Sequence, residues 1–297
     1  MIRALIILIV LSVLISCIIT PPIYSALTLL FAAPPWPYSR VFDRVILLVA
    51  IILIWFLRKE LNLKSVEPFF NAASKRSAAA FITTGVLISF GTAMLFASLL
   101  VGDKITWQLK EPAYYYSRLL KLVPAAFIIA LIEESFFRAL LYQKIKEISS
   151  LIPALLISSF IYAVVHFLTP DKSFTYSGYS LFVGFEYLGV VLKRLTLAGV
   201  PQGIIGLMLV GIVLCVALER TKNIYFSIGL HAGWIMAVKG IYYFTATVPG
   251  AVFLSGPGRR YYLVTEPLGW LSVAVVFLIV LLVTSDSFKW SAKKACT

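Results

Sequence analysis

Long apolar runs separated by short polar joints dominate this 297-residue chain and restrict what it can fold into. A helix that crosses a bilayer requires roughly 20 predominantly apolar residues. Eight apolar runs lie at about 4–32, 45–57, 78–101, 119–142, 151–169, 200–218, 223–247 and 267–284. The pattern predicts an all-α fold, a polytopic transmembrane helical bundle of about eight helices that forms a single membrane domain over residues 1–297.

The composition excludes a sizeable soluble domain. Hydrophobic residues make up 61% of the chain and charged residues 13%, whereas a soluble domain usually carries about 25% charged residues. So few charges cannot cover a water-facing surface, but they suit a surface that faces lipid. The lipid bilayer is therefore the first partner that the sequence predicts.

The net charge of +13 would suggest a nucleic acid partner if the protein were soluble. Here most Lys and Arg residues lie between the apolar runs, and no basic helix or aromatic-basic loop stands out. We interpret these residues as anchors at phospholipid headgroups and predict no nucleic acid partner. A slight excess of Lys and Arg in alternate joints favours cytoplasmic termini.

The first apolar run resembles a signal peptide, because a short basic start precedes an apolar stretch that reaches Cys17. The sequence stays apolar beyond Cys17 to Phe31, with no polar start of a mature chain, so we expect an uncleaved first span. Pro21 and Pro22 interrupt this run, which a membrane helix tolerates when neighbouring groups satisfy the freed carbonyls. The sequence leaves processing at Cys17 open.

Two adjacent glutamates, Glu133 and Glu134, lie inside the fourth run. An ionisable side chain inside a span costs roughly 3 kcal/mol even on lenient scales, so it marks a candidate functional site. Glu134 and Arg138 are four residues apart and can pair on one helix face. Glu133 points about 100° away and has no such partner within its own helix. We therefore predict that Glu133 is a general base and that Glu134 and Arg138 support the site.

The two histidines of the chain, His166 and His231, also lie inside apolar runs. A single buried histidine more often makes a hydrogen bond between helices than it takes part in catalysis. Two such histidines together with two glutamates favour a site, because imidazole and carboxylate are the usual acid–base groups of enzymes.

Three motifs occur in order on the fourth, fifth and seventh runs. They are EExxxR (Glu133, Glu134, Arg138), FxxxxxH (Phe160 to His166) and a histidine after a small-residue turn (Gly229-Leu230-His231). This ordered set resembles the CPBP or Abi family, which contains the CAAX prenyl endopeptidases and bacterial bacteriocin-processing and immunity proteins. The resemblance covers about residues 120–245, which we expect to form a catalytic core within the membrane domain.

The resemblance implies an intramembrane endopeptidase. In similar proteins the residues that match Glu133 and His166 activate a water molecule, and the residue that matches His231 helps to hold the oxyanion. The residues that match Glu134 and Arg138 shape and support the site. A base, a polarising group and hydrogen-bond donors near a carbonyl are also what amide hydrolysis requires. The implied substrate is a membrane-associated protein or peptide, and a prenylated CAAX protein is one candidate.

The sequence departs from the family pattern after His231. The family commonly has HxxxN, but Ile235 occupies the fourth position after the histidine. The usual Asn would donate to the oxyanion, and loss of one such donor lowers the rate by about 10²–10³ in other enzymes. The indole N–H of Trp234 is a candidate substitute, although at i+3 it points in a different direction.

Zinc is an alternative, because Glu133, His166 and His231 match a catalytic zinc triad in ligand type. We favour a mechanism without a metal or a small-molecule cofactor. The sequence has no HExxH motif, and no clear carboxylate remains to orient both histidines as zinc ligands.

Two other functions stay open beside the protease. Ile235 favours a non-catalytic immunity or scaffold protein of the same fold. An ion-coupled transporter would use the same polar groups to bind an ion, but the chain has no evident internal repeat. For each of these functions we predict a multi-pass protein of a bacterial or archaeal cytoplasmic membrane.

Overall fold

The structure is a computed structural model, and it describes residues 2–31, 34–71, 74–168, 174–197, 199–253 and 262–285. Most of these residues are helical. The α-helices are α1 (Ile2–Leu30), α2 (Tyr38–Phe56), α3 (Lys75–Ser98), α4 (Pro112–Glu134), α5 (Gln143–Lys146), α6 (Leu151–Phe167), α7 (Val183–Lys193), α8 (Val200–Thr221), α9 (Tyr225–Phe244), α10 (Tyr262–Thr265) and α11 (Pro267–Val283). Two 3₁₀ helices cover Leu63–Phe70 and Arg194–Thr196, and a π-helix covers Ser135–Tyr142.

Three of the described helices are long and apolar enough to cross a bilayer, namely α1 from Arg3 onward, α3 and α8. The helices α6 and α11 are apolar but shorter. The chain is therefore a helical membrane protein, as its sequence predicts. The number of eight membrane helices and the single membrane domain stay predictions.

Two short strands are an addition to the all-α fold that the sequence predicts. Strands β1 (Ile105–Trp107) and β2 (Thr245–Thr247) pair antiparallel, with Ile105 opposite Thr247. They follow α3 and α9, so two chain connections satisfy each other's backbone groups. Beside them, the Nζ atom of Lys104 lies 2.6 Å from Oε2 of Glu266, which precedes α11.

Residues 1–65 and 164–197 form one compact unit, which contains α1, α2 and α7. Gly184 of α7 lies so close to α1 that a Cβ atom there would be 1.9 Å from the backbone oxygen of Cys17. The core of this unit combines valines with aromatic rings, and the buried Tyr38 ring makes edge-to-face contacts with Tyr24 and Tyr187. Helix α7 lies outside the eight apolar runs of the sequence.

The described residues within 66–163 and 198–297 form a second compact unit, in which α3 and α9 pack closely through small residues. A Cβ atom at Gly85 of α3 would lie 2.6 Å from the backbone nitrogen of Leu230. One at Gly229 of α9 would lie 2.3 Å from the backbone oxygen of Ile82. Membrane helices associate through such close contact, because lipid is as apolar as their side chains. This contact fixes the position of α9, which carries His231.

The chain that begins as α4 changes its helix type directly after Glu134. It is π-helical over Ser135–Tyr142 and returns to α-helix in α5. π-helices are rare and often occur at functional sites. The residues from Phe137 to Tyr142 are all buried. At the end of the π-helix, the Tyr142 hydroxyl donates to Oε1 of Glu219 in α8 at 3.0 Å, which ties the two helices together.

Candidate active site

Glu133 and Glu134 end α4, and their side chains have different surroundings. The Glu134 side chain is fully buried, whereas 26% of the Glu133 side chain is exposed. Neighbouring residues of a helix point about 100° apart, so the Glu134 side chain lies in the protein core while the Glu133 side chain is partly exposed, although its Oε2 atom is buried. The two separate roles that the sequence predicts for Glu133 and Glu134 stay predictions.

Glu134 connects two helices through its two carboxylate oxygens. Its Oε2 lies 3.4 Å from Nε of Arg138, and both side chains are buried. This is the ion pair that the spacing of four residues predicts. Its Oε1 lies 2.9 Å from Nδ1 of His231, which is 97 residues further along the chain. The sequence did not predict this second contact, because nothing in the periodicity of either helix indicates it.

The other ring nitrogen of His231 faces two oxygen atoms. Nε2 lies 3.4 Å from the hydroxyl of Tyr162 in α6 and 3.8 Å from Oε2 of Glu133. The first distance is a long hydrogen bond, and the second is too long for a direct one. The side chains of Glu133, Glu134 and Tyr162 therefore surround the imidazole ring of His231. The four residues come from three helices, α4, α6 and α9.

The contact with Glu134 determines what His231 can do. A carboxylate accepts hydrogen bonds, so the ring proton of a neutral His231 belongs on Nδ1. Nε2 then carries a lone pair and is an acceptor. His231 can donate from Nε2 only when the ring is protonated. The predicted role of His231 as an oxyanion donor thus requires the imidazolium form.

The charges of this cluster balance when one proton is shared between two groups. With both carboxylates ionised, Arg138 and a protonated His231 compensate them. If the proton moves from His231 to Glu133, the total charge is again zero. Both arrangements avoid uncompensated charge, which is costly in a low-dielectric interior. A proton exchanged between Glu133 and His231 would therefore leave the net charge of the cluster unchanged.

Tyr162 belongs to this cluster, and sequence reasoning missed it. Its side chain is 2% exposed. The guanidinium carbon of Arg138 lies 4.2 Å from the centre of its ring, and the Phe137 ring meets it edge-to-face at 5.2 Å. A cation over an aromatic face is attracted to it, more strongly in a desolvated site. A tyrosine in an apolar run carries no signal of such a role, although Tyr162 precedes His166 by one helical turn.

His166 lies in the last turn of α6 and is half-buried. It falls in the compact unit of residues 1–65 and 164–197, whereas Glu133 and His231 belong to the other unit. Its predicted action together with Glu133 stays a prediction.

Trp234 and Ile235 follow His231 on α9. Trp234 is 8% exposed, and its Nε1 atom is buried without a hydrogen-bond partner among the residues that the structure describes. Ile235 is half-buried and brings no hydrogen-bond donor. Trp234 thus keeps an available N–H, as its predicted role as a substitute donor requires.

The described part of the chain contains no group of three His, Cys, Asp or Glu side chains with a geometry that could hold a metal ion. A catalytic zinc usually takes three protein ligands, so the described residues do not supply a zinc set. Glu134 does bind His231 as a carboxylate binds a zinc-ligating histidine. One of the two histidines therefore does have an orienting carboxylate, which the sequence argument against zinc did not foresee. The mechanism without a metal stays a prediction.

Comparison with known families identifies this segment of the chain. Residues 115–237 match the model of a family described as type II CAAX prenyl endopeptidase Rce1-like. The match agrees, over this segment, with the resemblance to the CPBP family that the ordered motifs carry. The matched residues include the whole cluster around His231, together with His166 and Trp234. No curated protein and no solved structure matches the chain.

Proposed function

We propose that the protein is an intramembrane endopeptidase that hydrolyses a peptide bond of a membrane-associated protein or peptide. The observation that carries the proposal is the arrangement at His231, where a partly exposed carboxylate and a buried one flank a single imidazole. Such a set provides a general base and an imidazole of fixed orientation that can donate or accept a proton, which amide hydrolysis needs. The match to a protease family supports the same function.

In the proposed reaction, Glu133 takes a proton from a water molecule while the water oxygen attacks the scissile carbonyl carbon. The carbonyl oxygen becomes an oxyanion as the carbon becomes tetrahedral. The carbon–nitrogen bond then breaks, and the proton on Glu133 passes to the leaving nitrogen. We propose that His166 helps Glu133 to hold the water, as in similar proteins.

Glu134 and Arg138 act in this proposal through His231. Glu134 holds the ring by Nδ1 at 2.9 Å and is itself held by Arg138. The ring is thereby oriented with Nε2 toward the region of Glu133. Protonation of His231 at Nε2 gives a positive charge and a donor close to the oxyanion, where such groups are most effective.

The proposed substrate reaches the site within the bilayer. A prenylated CAAX protein is one candidate, which the family description supports. We propose that the chain works in a bacterial or archaeal cytoplasmic membrane, with no small-molecule cofactor and no metal. Activity of the purified protein should then persist in a zinc chelator, and its loss with recovery on adding zinc would assign the mechanism to a metal.

The decisive experiment compares the termini of membrane proteins in cells with the wild type and with Glu133→Gln. New termini should appear with the wild type and be absent with Glu133→Gln, which keeps the shape of the side chain. The matched control is Glu111→Gln, an exposed glutamate before the start of the same helix. Identical termini in all three strains would exclude the proposed protease activity under the conditions tested.

A non-catalytic member of the same fold is the second candidate, and Ile235 is the residue that favours it. The same comparison of termini separates the two, because a scaffold or immunity protein would produce no new termini. Uptake of an ion that depends on Glu133 would instead favour a transporter.

A further inference from the structure

The site lacks one hydrogen-bond donor that the family motif carries, but it holds a different one. Ile235 stands where the family motif has an Asn, so α9 brings no side-chain amide at that position. The Tyr162 hydroxyl, from α6, lies 3.4 Å from Nε2 of His231. A hydrogen-bond donor beside the His231 ring can therefore come from α6 instead of α9.

His231 cannot serve as that donor in its neutral form. Glu134 occupies Nδ1 at 2.9 Å, so the neutral ring presents a lone pair at Nε2. In this neutral form of His231 the Tyr162 O–H donates to the lone pair. When His231 is protonated, Nε2 no longer accepts a hydrogen bond, and the phenolic hydrogen turns to another acceptor. In that second state Tyr162 presents an O–H next to the reacting groups.

The ring of Tyr162 is held in place for such a role. It is 2% exposed, with Arg138 over its face at 4.2 Å and Phe137 at its edge at 5.2 Å. A donor that is fixed before the reaction stabilises developing charge without the cost of reorganisation. The positive charge of Arg138 also favours a partial negative charge on the phenol, which a donating O–H acquires.

We propose that Tyr162 is a catalytic residue whose phenolic O–H donates to the oxyanion of the scissile carbonyl, in place of the amide that is missing at Ile235. This role rests on the proposed function of the site. It assigns the donor to α6 rather than to α9. It also gives Arg138 a second task, because the same guanidinium pairs with Glu134 and holds the Tyr162 ring.

The first test measures cleavage by the purified full-length protein in detergent micelles. The probe is an internally quenched peptide with a farnesylated CAAX end. Tyr162→Phe removes one oxygen atom and should lower kcat by about 10²–10³ with little change in KM. The matched control is Tyr142→Phe, a buried tyrosine of the same unit whose hydroxyl binds Glu219 instead. It should retain the kcat of the wild type.

A rival donor is tested in the same assay with Trp234→Phe. If this variant loses 10²–10³ in kcat and Tyr162→Phe does not, the donor is Trp234 and the inference is overturned. Equal rates for Tyr162→Phe and Tyr142→Phe overturn it as well and leave the proposed function intact. Cleavage that persists at the wild-type rate in Glu133→Gln overturns the proposed function itself.

The second test requires no cleavable peptide. The chain has two histidines, so ¹⁵N labelling of histidine gives two sets of ring signals, and His166→Gln assigns them. Tyr162→Phe should shift the Nε2 signal of His231 through loss of a hydrogen bond, whereas Tyr142→Phe should not. An unchanged Nε2 signal in Tyr162→Phe would show that the hydroxyl does not contact the ring, and the inference would be wrong.

Discussion

The two faces of α9 contact their neighbours in different ways, one through close backbone packing and the other through a side-chain hydrogen bond. One face carries Gly229 and Gly233 and lies directly against α3, where even a methyl group would meet atoms of Ile82 or Ser89. The other face carries His231, which is joined to α4 by a hydrogen bond of 2.9 Å to Glu134. The glycine face determines where the helix lies, and the histidine face determines how one ring is turned.

This difference predicts that substitutions on the two faces fail in different ways. Changes at the glycine face should lower stability and reduce activity only as far as folded protein is lost. Changes at the histidine face and its partners should reduce the activity of each folded molecule, in addition to any loss of stability. A glycine-face variant that is fully folded and inactive would contradict this prediction.

Glu134→Gln should have the largest effect on stability. It leaves Arg138 buried without its counter-ion, and removal of one partner of a buried pair typically costs about 3–5 kcal/mol. The free energy of unfolding, measured by titration of detergent micelles with a denaturing detergent, should fall by that amount. Glu111→Gln, at the opposite end of α4, should change it little. A wild-type value for Glu134→Gln would show that the pair with Arg138 does not contribute.

Gly229→Ala should have the next largest effect. The added Cβ would lie 2.3 Å from the backbone oxygen of Ile82, which cannot move without shifting α3. Overpacking of this kind typically costs about 1–3 kcal/mol. Gly91→Ala is the control, since the space beside that α3 glycine is open. Activity per folded molecule should be retained in both variants, and a folded but inactive Gly229→Ala would contradict the division between the faces.

Gly233→Ala should cost less when Ser89 is also changed. The first atom that a Cβ at Gly233 would meet is Oγ of Ser89, at 2.0 Å. In a Ser89→Ala background this obstacle is gone, and the next atom, the backbone oxygen of Val86, lies at 2.9 Å. A double-mutant cycle should give a favourable coupling of roughly 0.5–3 kcal/mol. Additive effects would mean that α3 and α9 lie further apart than described.

Ile235→Asn should have the smallest effect. If Tyr162 already donates to the oxyanion, a restored amide adds to a working donor. Activity on the farnesylated probe should then stay unchanged or rise by less than the 10²–10³ that a missing donor costs. Ile235→Leu serves as the control for a change of shape. An increase of the full 10²–10³ would indicate that the wild-type site lacks a donor.

The sequence predicted the parts of this molecule that depend on local spacing. Residues four apart on a helix share a face, so the Glu134–Arg138 pair followed from the sequence alone. Length and apolar content likewise indicated membrane helices, and α1, α3 and α8 meet both criteria. The ordered motifs also led to the family that residues 115–237 match.

The parts that the sequence did not predict depend on contacts between distant segments. The bond from Glu134 to His231 joins residues 97 positions apart, and no helical period carries that information. The π-helix at Ser135–Tyr142 has the same composition as an ordinary apolar helix, so its different hydrogen bonding is invisible in the residue pattern. Tyr162 was missed because a buried tyrosine in an apolar run looks like core.

The order of synthesis makes the Glu134–Arg138 pair important before the site is complete. Glu134 leaves the ribosome 97 residues before His231, which at roughly 5–20 residues per second is an interval of about 5–20 s. During this interval the carboxylate of Glu134 exists without its partner on α9. Arg138 follows within one helical turn and neutralises that carboxylate at once. We therefore expect Arg138 to compensate the charge of Glu134 before His231 has been made, and it remains beside Glu134 in the folded site.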